Sequence, residues 1–168
     1  MKRLWIAIGI LAVTSAYGIP TCPAHGEEHG GAASSTRSEE GVRFVDFTLR
    51  DPDGVPVTFG NLVGKKPVLL LFWAAWCPIC MEDIPAVNEI HRRGDMQVVA
   101  VNVKESAKRV KGAIRSLGIR YPVLLDPDGA VAQRYKVPGI PVCIVIDKAG
   151  RIVYRSNAFP DPIEKFFQ

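Results

Sequence analysis

A chain of 168 residues, 48% of them hydrophobic, has room for one domain with a real core plus appendages. Its formal net charge of +4 includes Lys2 and Arg3 at the extreme N-terminus, and the rest is spread without a block, so nucleic acid is not an expected partner.

Lys2 and Arg3 precede an uncharged run from Leu4 to Ile19 with small residues at Ser15, Ala16 and Gly18, the layout of a secretory signal peptide. Cleavage after Ala16 and after Gly18 are both chemically reasonable. The run is short of the roughly 20 apolar residues of a membrane span, so residues 1–21 read as a signal peptide or an N-terminal anchor. Pro20 and Thr21 are poor residues before a lipidated cysteine, which argues against a lipoprotein built on Cys22. Residues 22–41 are Gly, Ala, Ser, Thr and Glu with few large apolar side chains, a flexible linker with a reach of roughly 25 Å. Cys22, His25 and His29 lie there at spacings a metal could use, but three ligands on a loose tether must be ordered before they bind, and a plain linker is the simpler reading.

The folded domain is expected over 42–168. Phe44, Phe47, Leu49, Val55, Val57 and Phe59 flank Asp51-Pro52-Asp53-Gly54 and predict a hairpin. Pro67 to Trp73 is a buried strand, followed by a helix from Cys77 to about Arg93 that Gly94 stops. Met96 to Val103 is a second strand buried on both faces, and Ser106 to Leu117 a helix with Val110, Ala113, Ile114 and Leu117 on one side. Tyr121 to Leu125 is a short strand, Asp126-Pro127-Asp128-Gly129 a turn, and Ala130 to Tyr135 a short helix. Pro141 to Asp147 and Arg151 to Arg155 form an edge hairpin, and Asp161 to Phe167 a closing helix. Strands alternating with helices imply an α/β sandwich with a mixed sheet.

Trp76-Cys77-Pro78-Ile79-Cys80 sets two thiols one helical turn apart where a strand gives way to a helix. Pro78 suits the first helical position, since its missing N–H would be unpaired there. Cys77 then sits among free backbone N–H groups at the positive end of the helix, which favours thiolate and makes it the expected nucleophile. Cys80 is placed to attack a mixed disulfide on Cys77 and release the reduced substrate. A zinc half-site or a static disulfide fits less well, because Cys22, His25, His29, His91 and Cys143 form no second C-x2-C or H-x3-H group. Neither a metal nor an organic cofactor is called for. Cys143 reads as a buried small hydrophobe and His91 as a contact at a helix C-terminus.

This pattern resembles the thioredoxin fold, and within it the exported TlpA/ResA/CcmG-like reductases, over nearly all of Phe44 to Asn157. Leu71 to Cys80 matches the strand and active-site signature, Pro85 the helix-kinking proline, and Gly139-Ile140-Pro141 the cis-proline loop that lies against the cysteine pair. The resemblance implies a three-layer α/β sandwich whose central mixed sheet carries an N-terminal hairpin and a central insertion, Lys104 to Leu125. It also implies that Ile140 exposes its backbone beside the cysteines, where substrate backbone pairs. Two positions depart from the pattern. Leu71 stands where cytosolic thioredoxins carry a buried aspartate, and Asp83, beside Glu82, stands where the reductase branch carries a glutamate. Asp83 is one methylene shorter, so it serves either as a proton carrier for Cys80 or only as an acid near a helix start.

Between the cysteines stand Pro78 and Ile79, with neither charge nor ring nitrogen, which predicts a potential nearer thioredoxin's (about −270 mV) than DsbA's (about −120 mV), a gap of roughly 7 kcal/mol. A reductant is the expected role. An exported reductant must be fed, and the resemblance implies a membrane electron donor of the CcdA or DsbD type. Its clients would be apocytochrome c or a copper-site protein of cytochrome oxidase. The alternatives are a disulfide oxidase or isomerase using the same residues, and a Sco-like copper carrier, which would need C-x3-C and a histidine beyond His91. A peroxiredoxin would need Thr three residues before the cysteine, where Ala74 stands.

Overall fold

The computed structural model describes residues 41–167. The predicted signal segment, the linker up to residue 40, and with it Cys22, His25 and His29 lie outside the described residues. Two largely apolar runs make the centre: β3 (Val68–Trp73), rich in Leu and aromatic residues, is buried at every position, and the Val-rich β4 (Gln97–Val103) at all but its two ends. They pair in parallel, Leu70 opposite Val99 and Phe72 opposite Val101. A parallel pair needs a crossover, supplied by α1 (Pro78–Glu82) and α2 (Ile84–Arg93). Gly94 then ends α2 in the left-handed region at φ 72°, its N–H returning to the Ile90 carbonyl.

The insertion between the central βα units is α3 (Ala107–Leu117) and β5 (Val123–Asp126). Ser106 caps α3 by accepting from the Arg109 N–H, and β5 lies parallel to β4. The N-terminal hairpin, β1 (Thr48–Arg50) and β2 (Pro56–Thr58), joins this edge through β1 beside β5. After α4 (Ala130–Arg134), β6 (Val142–Ile146) runs antiparallel to β3 and turns into β7 (Ile152–Ser156). The sheet order is β2-β1-β5-β4-β3-β6-β7, a mixed seven-stranded sheet.

Alternation along β3 divides the core. Leu69, Leu71 and Trp73 pack with Ile84, Val87, Ile90 and Val110 on one face, while Val68, Leu70 and Phe72 pack with Phe47, Phe59, Val131 and Tyr135 on the other. The three layers expected from the resemblance are therefore present, with α1 to α3 on one face and α4 on the other. Two expectations need correction. The helix from Cys77 to Arg93 is broken at Asp83, because Pro85 in the first turn of α2 has no N–H to continue the ladder. The closing helix shrinks to a 3-10 turn at Ile163–Phe166 behind Pro162. No helix among the described residues is long and apolar enough to cross a membrane.

Candidate active site

Strand β3 delivers the chain to the C-terminal edge of the sheet, where crevices form in open α/β folds. It leaves the sheet at Trp73, and a turn closed by the Cys77 N–H on the Ala74 carbonyl (3.1 Å) reverses it into α1. Cys77 is the N-cap of that helix, with Pro78 following at its start. The Cys80 N–H points at the Cys77 sulfur at 3.2 Å, so the sulfur occupies the acceptor position that Ser or Asp would fill in an ordinary cap. Cys77 and Cys80 are joined as a disulfide across a Cα–Cα separation of 5.3 Å.

The disulfide has an open and a closed side. Although Cys77 is only 4% exposed, Trp76 (61%) and Ile79 (58%) stand out beside it, together with the exposed Pro78. From Trp76 a groove of about 730 Å³ runs past Gly139 and Ile140 to Lys104, Asp128 and Gln133. Ile140 is half-buried on its wall, and the Ile140–Pro141 peptide bond is cis. The Asn157 side-chain amide donates to the Pro141 carbonyl at 3.0 Å, fixing the loop at the start of β6.

Behind the disulfide lies a small cavity of about 20 Å³, room for one water molecule, lined by Leu71, Cys80, Asp83, Tyr121, Pro141 and Cys143 among others. Three titratable side chains other than the disulfide meet here. Asp83 falls at the break between α1 and α2, makes no capping bond, and turns its carboxyl to this cavity instead. Burial, and then the neighbouring Glu82, push that carboxyl above the ordinary aspartate range. Burial and the facing Asp83 also push the Tyr121 phenol up, and the Cys143 thiol up to about 12. A thiol that titrates so high is a poor nucleophile at neutral pH.

The fold thus gathers Trp76, Cys77, Pro78, Ile79, Cys80, Asp83, Ile140 and Pro141 around one disulfide. His91 is left in the last turn of α2. Sequence reasoning missed Glu105 and Asn102. Glu105 is 8% exposed and accepts from the Ala75 N–H at 2.6 Å and from the Asn102 side-chain amide at 2.8 Å. The signal was available: Asn102 is a polar residue inside an otherwise apolar buried strand, and such a group needs a partner. Among the described residues no three His, Cys, Asp or Glu side chains are grouped to hold a metal ion.

Comparisons agree with this geometry. The Redoxin family matches residues 39–165. The thiol-disulfide oxidoreductase ResA of Bacillus subtilis is 32% identical over 158 residues, covering 90% of this chain and 83% of that protein. A solved structure assigned as the thiol:disulfide interchange protein DsbE of Chlorobium tepidum superposes with a TM-score of 0.66 at 29% identity, covering 75% of this chain and 89% of the other. A secreted disulfide oxidoreductase of Mycobacterium tuberculosis, described as homologous to DsbE of E. coli, does so at 0.61 with 25% identity, covering 68% and 84%. A sulfur-capped helix on a thioredoxin-like sheet and a match across most of the chain have one common explanation: the chain belongs to the Redoxin family and is a thiol-disulfide oxidoreductase of the ResA/DsbE type.

Proposed function

We propose that this oxidoreductase works as an exported reductant of client protein disulfides, with Cys77 as the attacking and Cys80 as the resolving sulfur. The observation that carries the assignment is the contact between the Cys80 N–H and the Cys77 sulfur, which favours negative charge on Cys77 once the disulfide is reduced. The Cys77 thiolate attacks a client sulfur; a mixed disulfide forms and one client thiolate leaves. Cys80 loses its proton and attacks the Cys77 sulfur. The Cys77–Cys80 disulfide closes, the second client thiolate leaves, and two electrons have passed to the client. Asp83 is the nearby carboxyl for the Cys80 proton, since it faces the same closed cavity and binds a proton more readily than an ordinary aspartate.

On the open side, Trp76, Ile79 and Ile140 offer apolar contact to a client segment lying in the groove, with the Ile140 backbone as its pairing edge. Residues 1–21 act as the export signal or anchor and residues 22–41 as a tether, with the domain over 42–168. The secreted mycobacterial relative supports that placement. An exported reductant has to be re-reduced, and a membrane donor of the CcdA or DsbD type fits, with apocytochrome c haem-site cysteines or a copper-site protein as the clients.

Equilibration of the purified protein with glutathione and with reduced thioredoxin tests the direction of electron flow. A potential near thioredoxin's, about −270 mV, is expected, whereas one near −120 mV would make the protein an oxidant. Partners trapped on Cys80→Ser from the exported fraction identify the client.

A further inference from the structure

The loop Ala74-Ala75-Trp76 carries the chain from β3 to Cys77, and its middle N–H is held from another part of the chain. Ala75 donates to Glu105 Oε2 at 2.6 Å across 30 residues of sequence. The same oxygen accepts from Asn102 Nδ2 at 2.8 Å, and Asn102 is fully buried in β4 in register with Trp73, the last residue of β3. Glu105 Oε1 meets Arg109 Nε at 2.5 Å, an ion pair between a carboxylate side chain that is 4% exposed and a guanidinium that is 58% exposed. For a charge buried to this degree, losing a partner is costly, which ties the Glu105 carboxylate to the groups it meets. Its backbone is constrained as well. Lys104, just before it, adopts φ 60° in the left-handed region, unusual for a residue with a Cβ, while its N–H bonds to the Asp126 carbonyl at 2.9 Å. That turn brings the chain out of β4 and folds Glu105 back over the end of β3.

We propose that Glu105 is the positioning residue of the active-site loop: its carboxylate oxygen Oε2, anchored by Asn102, holds the Ala75 N–H and so sets where Cys77 meets the first turn of α1. Glu105 touches neither sulfur. It acts through Ala75 and the adjoining turn, in which Cys77 N–H reaches Ala74, and that turn aims the Cys77 sulfur at the Cys80 N–H. The inference rests on Cys77 being the reactive sulfur.

The test is the rate at which iodoacetamide alkylates Cys77 in the reduced full-length protein at pH 7, mapped by mass spectrometry, together with the equilibrium constant of the Cys77–Cys80 disulfide against glutathione. Glu105→Ala should slow alkylation about tenfold and move the glutathione equilibrium about as far, since a misplaced reactive group is costly even when displaced little. Glu105→Gln should restore both, because one amide oxygen can still accept from Ala75 and Asn102. Arg109→Ala leaves the acceptor of Ala75 in place and should keep alkylation within about twofold while lowering Tm, the penalty of an unpaired buried charge. Should Glu105→Ala fail to fold, Glu105→Asp replaces it, keeping the charge while drawing the oxygen back by one methylene, with the same losses expected. A folded Glu105→Ala or Glu105→Asp protein that lost Tm but kept the parental alkylation rate and glutathione equilibrium would overturn the proposal. If Cys80 rather than Cys77 were alkylated in the parent, the order of attack proposed above would fall. The glutathione equilibrium would still judge Glu105, because it requires no assignment of the attacking sulfur.

Discussion

The two sides of the Cys77–Cys80 disulfide are built from opposite materials. Toward solvent stand the exposed Trp76, Pro78 and Ile79 and a groove of about 730 Å³; toward the sheet stand Asp83, Tyr121 and Cys143 around a cavity of about 20 Å³. The open side offers apolar area with no titratable group next to the sulfurs, which suits recognition of a polypeptide. The closed side offers protons in a confined space and no room for a client. In the proposed mechanism one disulfide thus separates recognition from proton handling, and variants on the two sides should fail in different assays.

The largest effect should come from the disulfide itself. Cys77→Ser should reduce insulin-disulfide reduction to background, while Cys80→Ser should accumulate a mixed disulfide through Cys77, visible on non-reducing gels. Turnover preserved in Cys80→Ser would remove the resolving role.

Next comes the open side. Trp76→Ala removes the most exposed large apolar side chain at the site and should lower kcat/KM for a protein client about tenfold, or ~1.4 kcal/mol. Its glutathione equilibrium should stay at the parental value, because glutathione is too small to need the groove. A parallel loss in both assays would show that Trp76 shapes the disulfide rather than the docking surface.

On the closed side, Asp83→Asn tests the carboxyl. Because folding raises the pKa of Asp83, its contribution to stability is fully present below the ordinary aspartate pKa and is lost as pH rises through the folded value. The variant should thus gain Tm relative to the parent as pH goes from about 3.5 to 7, while its client reduction loses the pH dependence that the carboxyl supplies. A Tm difference that stayed flat over that range would place Asp83 in solvent.

The smallest effect belongs to Cys143→Ala. Its thiol, pushed up to about 12 by burial and by Asp83, should resist iodoacetamide in the native protein at pH 8. The substitution should cost about 1 kcal/mol in denaturant melts, from the small volume lost, and leave insulin reduction within about twofold. Alkylation at the rate of an exposed cysteine would give the closed side an opening that the cavity does not have.

Much of the fold was legible in the chain because its central strands are continuous apolar runs and its helices carry strong stop signals. Val68–Trp73 and Gln97–Val103 read as strands buried on both faces, and Gly94 and Gly118 end their helices in the left-handed region. The break at Asp83 was less legible. Pro85 announced a kink, yet whether the carboxyl then capped α2 or faced Cys80 depended on where the kink turned it. Glu105 was illegible for a related reason. Following a strand and preceding Ser106, it has the pattern of an ordinary acid before a helix, and only the left-handed turn at Lys104 brings it back to Ala75.

What the sequence alone determined is the chemistry: two sulfurs at helical spacing behind a buried strand, with a proline where the first helical N–H would go unpaired. Local spacing and backbone stereochemistry decide those features within a few residues. What only the tertiary structure decided is which distant groups stand around them. Tyr121 and Cys143 share the cavity with Asp83, and Glu105 reaches Ala75, because the mixed sheet, with β4 parallel and β6 antiparallel to β3, brings together residues 30 or more positions apart. Burial there removes water that would otherwise satisfy the polar groups, which is why the Ala75 N–H and the Asn102 amide take the Glu105 carboxylate as their acceptor.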